Sequence, residues 1–151
     1  MKKEILLVED NSDDAEFTVR AFSRSSFSAE IILAVDGAAA LSRLFPDGGA
    51  PGLRPTLVLL DINMPKLGGF DVLRQLRADP GTRYLPVIML TTSSLDHDIL
   101  ESYRLGANGY VCKSLSFDDY HETIKALGDY WLRFNLVPGS GPAELVSLDQ
   151  L

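Results

Sequence analysis

Five polar side chains stand directly after short apolar runs of the sequence, and their chemical types complement one another. They are three carboxylates, one hydroxyl and one ammonium: Glu9, Asp10, Asp61, Thr91 and Lys113. Clustered carboxylates repel one another unless they are protonated or neutralised by a cation. A hard divalent ion that keeps several waters suits such oxygen ligands, so the residue types predict a Mg²⁺ site.

A divalent cation beside a carboxylate, with an ammonium and a hydroxyl nearby, is suited to phosphoryl transfer. The cation and Lys113 would neutralise charge on the phosphoryl oxygens while Asp61 attacks the phosphorus in line. The backbone carbonyl of Asn63 is a further candidate oxygen ligand. The alternative is a structural ion-pair cluster of Lys113 with the acids, which the placement of these residues at strand ends makes the weaker interpretation.

The apolar runs that precede these residues have the length and composition of strands buried on both faces of a sheet. There are five runs: Ile5–Val8, Ile31–Val35, Leu57–Leu60, Val87–Leu90 and Tyr110–Cys112. Helical spacing of apolar residues lies between them, so the sequence predicts an α/β fold with a doubly wound parallel sheet. Because ligands of such sheets bind outside the carboxyl ends of the strands, the polar residues are expected to meet there.

The last helical segment carries an unusually long apolar stripe. Its members follow one another at intervals of three and four: Phe117, Tyr120, Ile124, Leu127, Trp131 and Phe134. At 1.5 Å per residue the stripe spans about 27 Å, whereas strands of ordinary length are only roughly 20 Å long. The sequence therefore predicts an extended C-terminal helix that is core-facing from Phe117 to Leu127. Trp131 and Phe134 are expected to overhang the core and to mark an interface.

Composition limits the class of protein further. The 151 residues are 46% hydrophobic and 23% charged, which fits one domain with its own core. We expect this domain to span residues 1–134 and a short tail to span residues 135–151. The formal net charge of −7 argues against a nucleic acid as the main partner. One cysteine, no signal peptide and no apolar run of roughly 20 residues predict a cytoplasmic protein without a membrane partner.

The chain resembles the response-regulator receiver family of two-component signalling. The matching motifs are Glu9-Asp10, Asp61-Ile62-Asn63-Met64-Pro65, Gly68-Gly69, Thr91 and Tyr110-Val111-Cys112-Lys113. The intervals of 30 residues from Asp61 to Thr91 and 52 to Lys113 also match that family. The resemblance covers about residues 4–128 and implies a flavodoxin-like (βα)5 fold with strand order 2-1-3-4-5.

The same resemblance implies a role for each motif residue. Asp61 would accept a phosphoryl group from a phosphohistidine of a sensor histidine kinase. Mg²⁺ would be held by carboxylates and one backbone carbonyl: those of Glu9, Asp10, Asp61 and Asn63.

Two further residues would contact the phosphoryl group, namely Lys113 and Thr91. Tyr110 would be the aromatic residue that changes rotamer on activation. The family usually has a proline after the lysine, often with a cis peptide bond, whereas this chain has Ser114. A cis bond there would cost roughly 2.5–4 kcal/mol, so the resemblance leaves the Lys113-Ser114 peptide open between cis and trans.

A narrower resemblance rests on the stretch Asp129-Tyr130-Trp131-Leu132 at the end of the last helix. It is similar to single-domain regulators that pair with phytochrome-type kinases and dimerise through the fourth helix, the fifth strand and the fifth helix. The implied homodimer interface would include four apolar residues of the last helix: Tyr120, Leu127, Trp131 and Phe134.

The expected function is therefore a receiver that catalyses its own Mg²⁺-dependent phosphorylation and dephosphorylation and signals through altered protein contacts. It would not be an enzyme acting on a separate substrate. One alternative is a dimeric scaffold that does not depend on phosphorylation. A second is a Mg²⁺-dependent phosphohydrolase with Asp61 as nucleophile; enzymes of the haloacid-dehalogenase type carry a second Asp two residues on, where this chain has Asn63.

Overall fold

The apolar runs form the strands of one parallel sheet, and helices connect them. The computed structural model describes residues 3–24, 29–113 and 116–138. The strands are β1 (Lys3–Val8), β2 (Ala29–Ala34), β3 (Leu57–Leu60), β4 (Val87–Thr91) and β5 (Gly109–Cys112). The helices are α1 (Ser12–Ser23), α2 (Gly37–Leu44), α3 (Gly69–Ala78), α4 (Asp96–Arg104) and α5 (Phe117–Gly128). A 3₁₀ turn spans Asp47–Gly49, and a π-helix spans Asp129–Phe134.

The strand order is β2-β1-β3-β4-β5, and all neighbouring pairs are parallel. This order confirms the flavodoxin-like fold that the resemblance implied. The central strands read as unbroken apolar runs because helices cover both faces of the sheet, and Leu57–Leu60 is completely buried. Polar residues can therefore enter this part of the sheet only at the strand ends.

Alternate residues of the strands divide the core into two layers. Leu6, Val58 and Leu60 point toward α2 and α3, where they pack with apolar side chains such as Leu44 and Leu73. The neighbouring strand residues point to the other face and pack with α1 and α5, which contribute side chains such as Phe22 and Ile124. The α1–α5 layer also contains a buried hydrogen bond of 2.6 Å between the Thr18 and Tyr120 hydroxyls.

The C-terminal helix differs from the predicted stripe. It is α-helical only to Gly128 and continues as the π-helix, which contains more residues per turn. The α-helical repeat of apolar residues therefore loses its alignment with the core after Gly128. Leu132, which is not part of the stripe, enters the core and is buried, and its carbonyl accepts a hydrogen bond from the Lys3 ammonium.

The stripe prediction is consequently wrong at two positions. Phe117 was expected to face the core but is 54% exposed, because it lies at the first turn of α5 above the edge of the sheet. Trp131 was expected to overhang the core but packs partly against the α1–α5 layer. Phe134 is 65% exposed, as the length of the stripe predicted. The tail expected at residues 135–151 is described only as far as residue 138.

Candidate functional site

The carboxyl ends of four strands bring the predicted site residues together. Glu9 follows β1 directly, Asp61 follows β3, Thr91 ends β4 and Lys113 follows β5. The backbone register aligns Val8 with Leu60, so the next residues of these strands, Glu9 and Asp61, lie side by side. The edge of the sheet therefore carries acids, a hydroxyl and an ammonium within a small region.

Three carboxylates at this edge form a group that can hold a divalent metal ion. Oxygen atoms of Glu9, Asp10 and Asp61 all lie within 4.8 Å of one another. Glu9 and Asp61 are buried, whereas Asp10 is exposed. This donor set fits a hard cation, because it offers only oxygen and leaves one side open for the waters that such ions retain. Asn63 lies two residues after Asp61 with its side chain exposed, and ligation by its carbonyl stays a prediction.

Lys113 lies among the acids and is almost completely shielded from solvent. Its side chain is 6% exposed, and its ammonium donates to the carboxylates of Glu9, Asp14 at 3.1 Å and Asp61 at 3.3 Å. The backbone N–H of Lys113 donates to the Thr91 carbonyl at 2.6 Å and so ties the ends of β5 and β4 together. The ammonium is thereby held beside the carboxylate that is expected to be phosphorylated.

The charges at the site are strongly interdependent. Burial raises the pKa of Glu9 to about 7, with a further rise from the Asp61 charge, and the hydrogen bond and charge of Lys113 offset this only in part. Burial acts against the charged form of Lys113, but the hydrogen bond that its ammonium donates to Glu9 and the negative charges of Asp61 and Glu9 outweigh this effect. The pKa of Lys113 is therefore raised above its ordinary value, and the residue remains a cation.

The two residues expected to act as a switch are joined through one intermediary. Thr91 is completely buried, and its hydroxyl accepts a hydrogen bond from the Ser93 N–H at 3.3 Å. The Tyr110 hydroxyl donates to the Ser93 carbonyl at 2.8 Å. Burial raises the pKa of Tyr110, so its hydroxyl stays protonated and available as a donor. The structure thus links Thr91 and Tyr110 across the β4–α4 loop, and the switch itself stays a prediction.

A close backbone contact explains why the Gly68-Gly69 motif has glycine at position 69. A Cβ atom on Gly69 would lie 2.1 Å from the carbonyl oxygen of Asp61, far inside any real contact distance. The Gly69 N–H donates to the Ile62 carbonyl at 3.0 Å and closes the loop. The start of α3 therefore rests directly on the Asp61 backbone.

Two members of the site were not identified from the sequence. The first is Asp14, whose carboxylate accepts a hydrogen bond from Lys113. Asn11 is the residue that caps α1, accepting from the Asp14 N–H at 3.0 Å. The second is Ser93, whose backbone bonds to both Thr91 and Tyr110. No local sequence pattern marks Asp14, because its approach to Lys113 depends on how α1 packs against the sheet.

A cleft of about 270 Å³ opens beside Lys113 on the α1–α5 side of the molecule. Its walls are aromatic and charged, formed by Asp14, Phe17, Lys113, Phe117 and Tyr120. The rings of Phe17 and Phe117 meet edge to face at 4.8 Å between centroids. The cleft gives an incoming molecule access to the Lys113 end of the site.

The residues predicted for a dimer interface lie at different depths. Tyr120 is 3% exposed, with its hydroxyl bonded to Thr18 inside the molecule, and its part in an interface stays a prediction. Leu127 and Trp131 are partly buried against the core, and Phe134 is exposed. Interfaces need accessible side chains, so Phe134 is the member of the set that offers the most surface.

Two further expectations concern the Lys113-Ser114 peptide bond and a membrane partner. Ser114 lies outside the described residues, so the bond between Lys113 and Ser114 stays open between cis and trans. None of the helices in the described ranges has both the length and the apolar character needed to cross a bilayer.

Known proteins are similar to this chain in sequence and in fold. The sequence profile of the response regulator receiver domain matches residues 5–125. FilR2 of Methanothrix harundinacea is 43% identical over 136 residues, which cover 89% of this chain and 87% of FilR2. The response regulator Rcp1 of Synechocystis is 35% identical over 141 residues, which cover 91% of this chain and 95% of Rcp1.

Solved structures agree with these sequence relatives. The phosphorylated cyanobacterial phytochrome response regulator RcpA has a TM-score of 0.84 at 35% identity, covering 92% of this chain and all of RcpA. The Mn²⁺-bound form of Rcp1 has a TM-score of 0.82 at 35% identity, covering 91% of this chain and 99% of that one. With its strand order, its acidic site and these relatives in agreement, the chain belongs to the response regulator receiver family and is homologous to the single-domain phytochrome response regulators.

Proposed function

We propose that Asp61 is the phosphoacceptor of this receiver and takes its phosphoryl group from a phosphohistidine of a sensor histidine kinase. The observation that carries the proposal is the contact of 3.3 Å between the buried Lys113 ammonium and the Asp61 carboxylate. An ammonium in this position neutralises charge on a phosphoryl group as it arrives. RcpA, whose fold this chain shares, has been solved in its phosphorylated form.

The chemistry is an in-line displacement at phosphorus. One Asp61 oxygen forms a bond to phosphorus as the bond to the histidine nitrogen breaks, and the imidazole leaves as the neutral ring after taking up a proton. Lys113 donates hydrogen bonds to the phosphoryl oxygens, and the Thr91 hydroxyl does the same from β4. Water attack on the acyl phosphate later restores Asp61, so the receiver also catalyses its own dephosphorylation.

Glu9, Asp10 and Asp61 would hold the divalent ion, with the Asn63 carbonyl as a further ligand. Mg²⁺ is our proposal for its identity, because an all-oxygen donor set with an open, solvated side matches its preferences. When bound, the ion supplies positive charge against the phosphoryl oxygens. The related Rcp1 has been solved with Mn²⁺, another ion that takes oxygen ligands.

The kinase that we propose as partner is of the phytochrome type. Three of the similar solved structures are phytochrome or bacteriophytochrome response regulators, with 35%, 42% and 37% identity to this chain. The proposed domain comprises residues 1–134, with residues 135–151 as a tail, and acts in the cytoplasm without nucleic acid or membrane as partner. The acidic net charge of −7 is consistent with protein rather than nucleic-acid partners.

The proposed output is a change in protein contacts at the face of α4, β5 and α5. Phosphoryl oxygens would draw the Thr91 hydroxyl toward Asp61, and Tyr110 would respond by changing rotamer. On α4, Leu100 and Tyr103 are 70% and 52% exposed and offer apolar surface to a partner. We propose that they and Phe134 contribute to a homodimer.

The test is intact mass spectrometry after incubation with acetyl phosphate and Mg²⁺, with the Asp61→Asn variant as control. A single acid-stable, base-labile phosphoryl group on the wild type and none on Asp61→Asn is the expected result. No phosphorylation of a wild-type protein that demonstrably binds Mg²⁺ would contradict the proposal. Light scattering of both proteins, with and without acetyl phosphate, then tests whether the dimer responds to phosphorylation.

A further inference from the structure

Asp14 faces the functional site from α1, although it belongs to none of the family motifs quoted above. Its backbone N–H is held by the Asn11 cap, which places the residue in the first turn of the helix. From there its carboxylate reaches across to the Lys113 ammonium at 3.1 Å. The Asp14 side chain is 38% exposed, so the contact forms at the solvent side of a nearly buried lysine.

The three protons of the Lys113 ammonium have three carboxylate partners in the structure. Two of them, Glu9 and Asp61, also belong to the group of acids that can hold a metal ion. A bound cation would take oxygen atoms of Glu9 and Asp61 as ligands and would repel the ammonium, so these two carboxylates would hold Lys113 less strongly. Asp14 lies outside the metal-binding group, so its attraction for Lys113 persists when the cation is bound.

We propose that Asp14 is a positioning residue for phosphoryl transfer, which holds the Lys113 ammonium beside Asp61 while the other two carboxylates are engaged. This inference rests on the proposed phosphorylation of Asp61. The geometry favours positioning over sequestration, because Lys113 reaches Asp14 at 3.1 Å and Asp61 at 3.3 Å at the same time. Contact with Asp14 therefore does not withdraw the ammonium from the phosphoacceptor.

In the assay reaction the bond between acetyl phosphate oxygen and phosphorus breaks and a bond between an Asp61 oxygen and phosphorus forms. Acetate leaves with the electron pair of the broken bond. Lys113 stays protonated throughout and donates hydrogen bonds, and Asp14 touches neither reactant. Its effect on rate is consequently indirect and acts through Lys113.

The neighbouring Asp13 provides a matched control. It is a second acidic residue in the first turn of α1, and its side chain is exposed. Within the described residues, the ammonium of Lys113 contacts Glu9, Asp14 and Asp61 but not Asp13. Asp13→Asn and Asp14→Asn therefore change net charge and the helix terminus alike, and only the second variant removes the contact with Lys113.

The experiment measures the phosphorylation rate of the full chain by intact mass, at saturating Mg²⁺ and with acetyl phosphate as donor. We expect Asp14→Asn to react about fivefold more slowly than Asp13→Asn, because a half-exposed charged hydrogen bond contributes modestly. Asp14→Glu should recover part of this loss. Mg²⁺ affinities of the two asparagine variants should agree within about twofold, since neither residue belongs to the metal-binding group.

A second comparison separates positioning from a structural role. In a Lys113→Ala background, Asp14→Asn should cause no further slowing, because the group through which it acts is gone. Equal or faster reaction of Asp14→Asn relative to Asp13→Asn, or the same slowing without Lys113, would overturn the inference. A wild-type protein that takes up no phosphate would instead overturn the proposed function, so the two failures are distinct.

Discussion

The Tyr110 hydroxyl donates a hydrogen bond of 2.8 Å to the backbone carbonyl of Ser93. The N–H of Ser93 donates in turn to the Thr91 hydroxyl, and its side chain donates to Asp98 in the first turn of α4 at 2.5 Å. One residue of the β4–α4 loop is thus bonded to β4, β5 and α4 at once. A movement of the Thr91 hydroxyl toward a phosphoryl group would break its hydrogen bond with the Ser93 N–H. The loop would then change its conformation.

The first prediction concerns Thr91→Ala. The variant should still be phosphorylated on Asp61, but the ring signals of Tyr110 in NMR spectra should no longer shift when acetyl phosphate and Mg²⁺ are added. The reason is that the variant lacks the Thr91 hydroxyl, which accepts a hydrogen bond from the Ser93 N–H and would donate one to the phosphoryl group. Thr92→Ala is the control, since Thr92 is exposed, and Thr91→Ser should restore the shift. A Tyr110 response that survives in Thr91→Ala contradicts this coupling.

The second prediction concerns the pH dependence of metal binding. Burial raises the pKa of Glu9 from an ordinary value of 4.5 to about 7, so the folded protein binds a proton that the unfolded chain releases. The contribution of Glu9 to stability is therefore present below about pH 4.5 and is lost as the pH rises through about 7. A metal ion needs the ionised carboxylate and must displace that proton.

Mg²⁺ affinity should accordingly rise by up to about tenfold per pH unit between pH 5 and 7 and level off above, as expected for release of one proton. Calorimetric titrations in buffers with different ionisation enthalpies measure this proton release directly. Glu9→Gln should bind more weakly and lose the pH dependence, while Glu16→Gln, at an exposed pair with Arg20, should behave like the wild type. A pH-independent affinity of the wild type would show that Glu9 is already ionised.

The strand-end residues were predictable because buried parallel strands are short apolar runs, and the residue after such a run lies at the edge of the sheet. Glu9, Asp61, Thr91 and Lys113 all follow this rule. Asp14 does not, because its approach to Lys113 depends on how α1 packs against the sheet, which no local pattern records.

The stripe of apolar residues that was predicted to continue to Phe134 also depended on a feature that the sequence pattern does not reveal. Spacing of three and four assumes an α-helix, and the π-helix after Gly128 has no such spacing.

The third prediction tests the contact between α3 and the phosphoacceptor. Gly69→Ala would place a Cβ 2.1 Å from the Asp61 carbonyl oxygen, so the helix or the acidic residue must move. We expect a loss of about 1–3 kcal/mol in the free energy of unfolding, the usual cost of overpacking, together with slower phosphorylation of Asp61.

Urea unfolding and the intact-mass assay measure the two effects. Gly68→Ala is the matched control, because its Cβ would approach the Ile62 carbonyl oxygen only to 3.2 Å. It should cost less than Gly69→Ala in both measurements. Similar values for the two variants would mean that the Asp61 backbone is not constrained by α3.

The last prediction concerns the hydroxyl pair of Thr18 and Tyr120, which joins α1 and α5 inside the molecule at 2.6 Å. Tyr120→Phe leaves the Thr18 hydroxyl buried without this partner and should lower the free energy of unfolding by about 1–3 kcal/mol. Thr18→Val added to Tyr120→Phe should cost less than the sum of the single changes, because both hydroxyls of the pair are then removed together.

The same variant also tests the dimer interface. Since Tyr120 is buried, Tyr120→Phe should leave the oligomeric state seen by light scattering intact, whereas Phe134→Ala should weaken any dimer. Additive stability changes would contradict the pairing. Loss of the dimer in Tyr120→Phe, with Phe134→Ala unaffected, would indicate that Tyr120 and not Phe134 supports the interface.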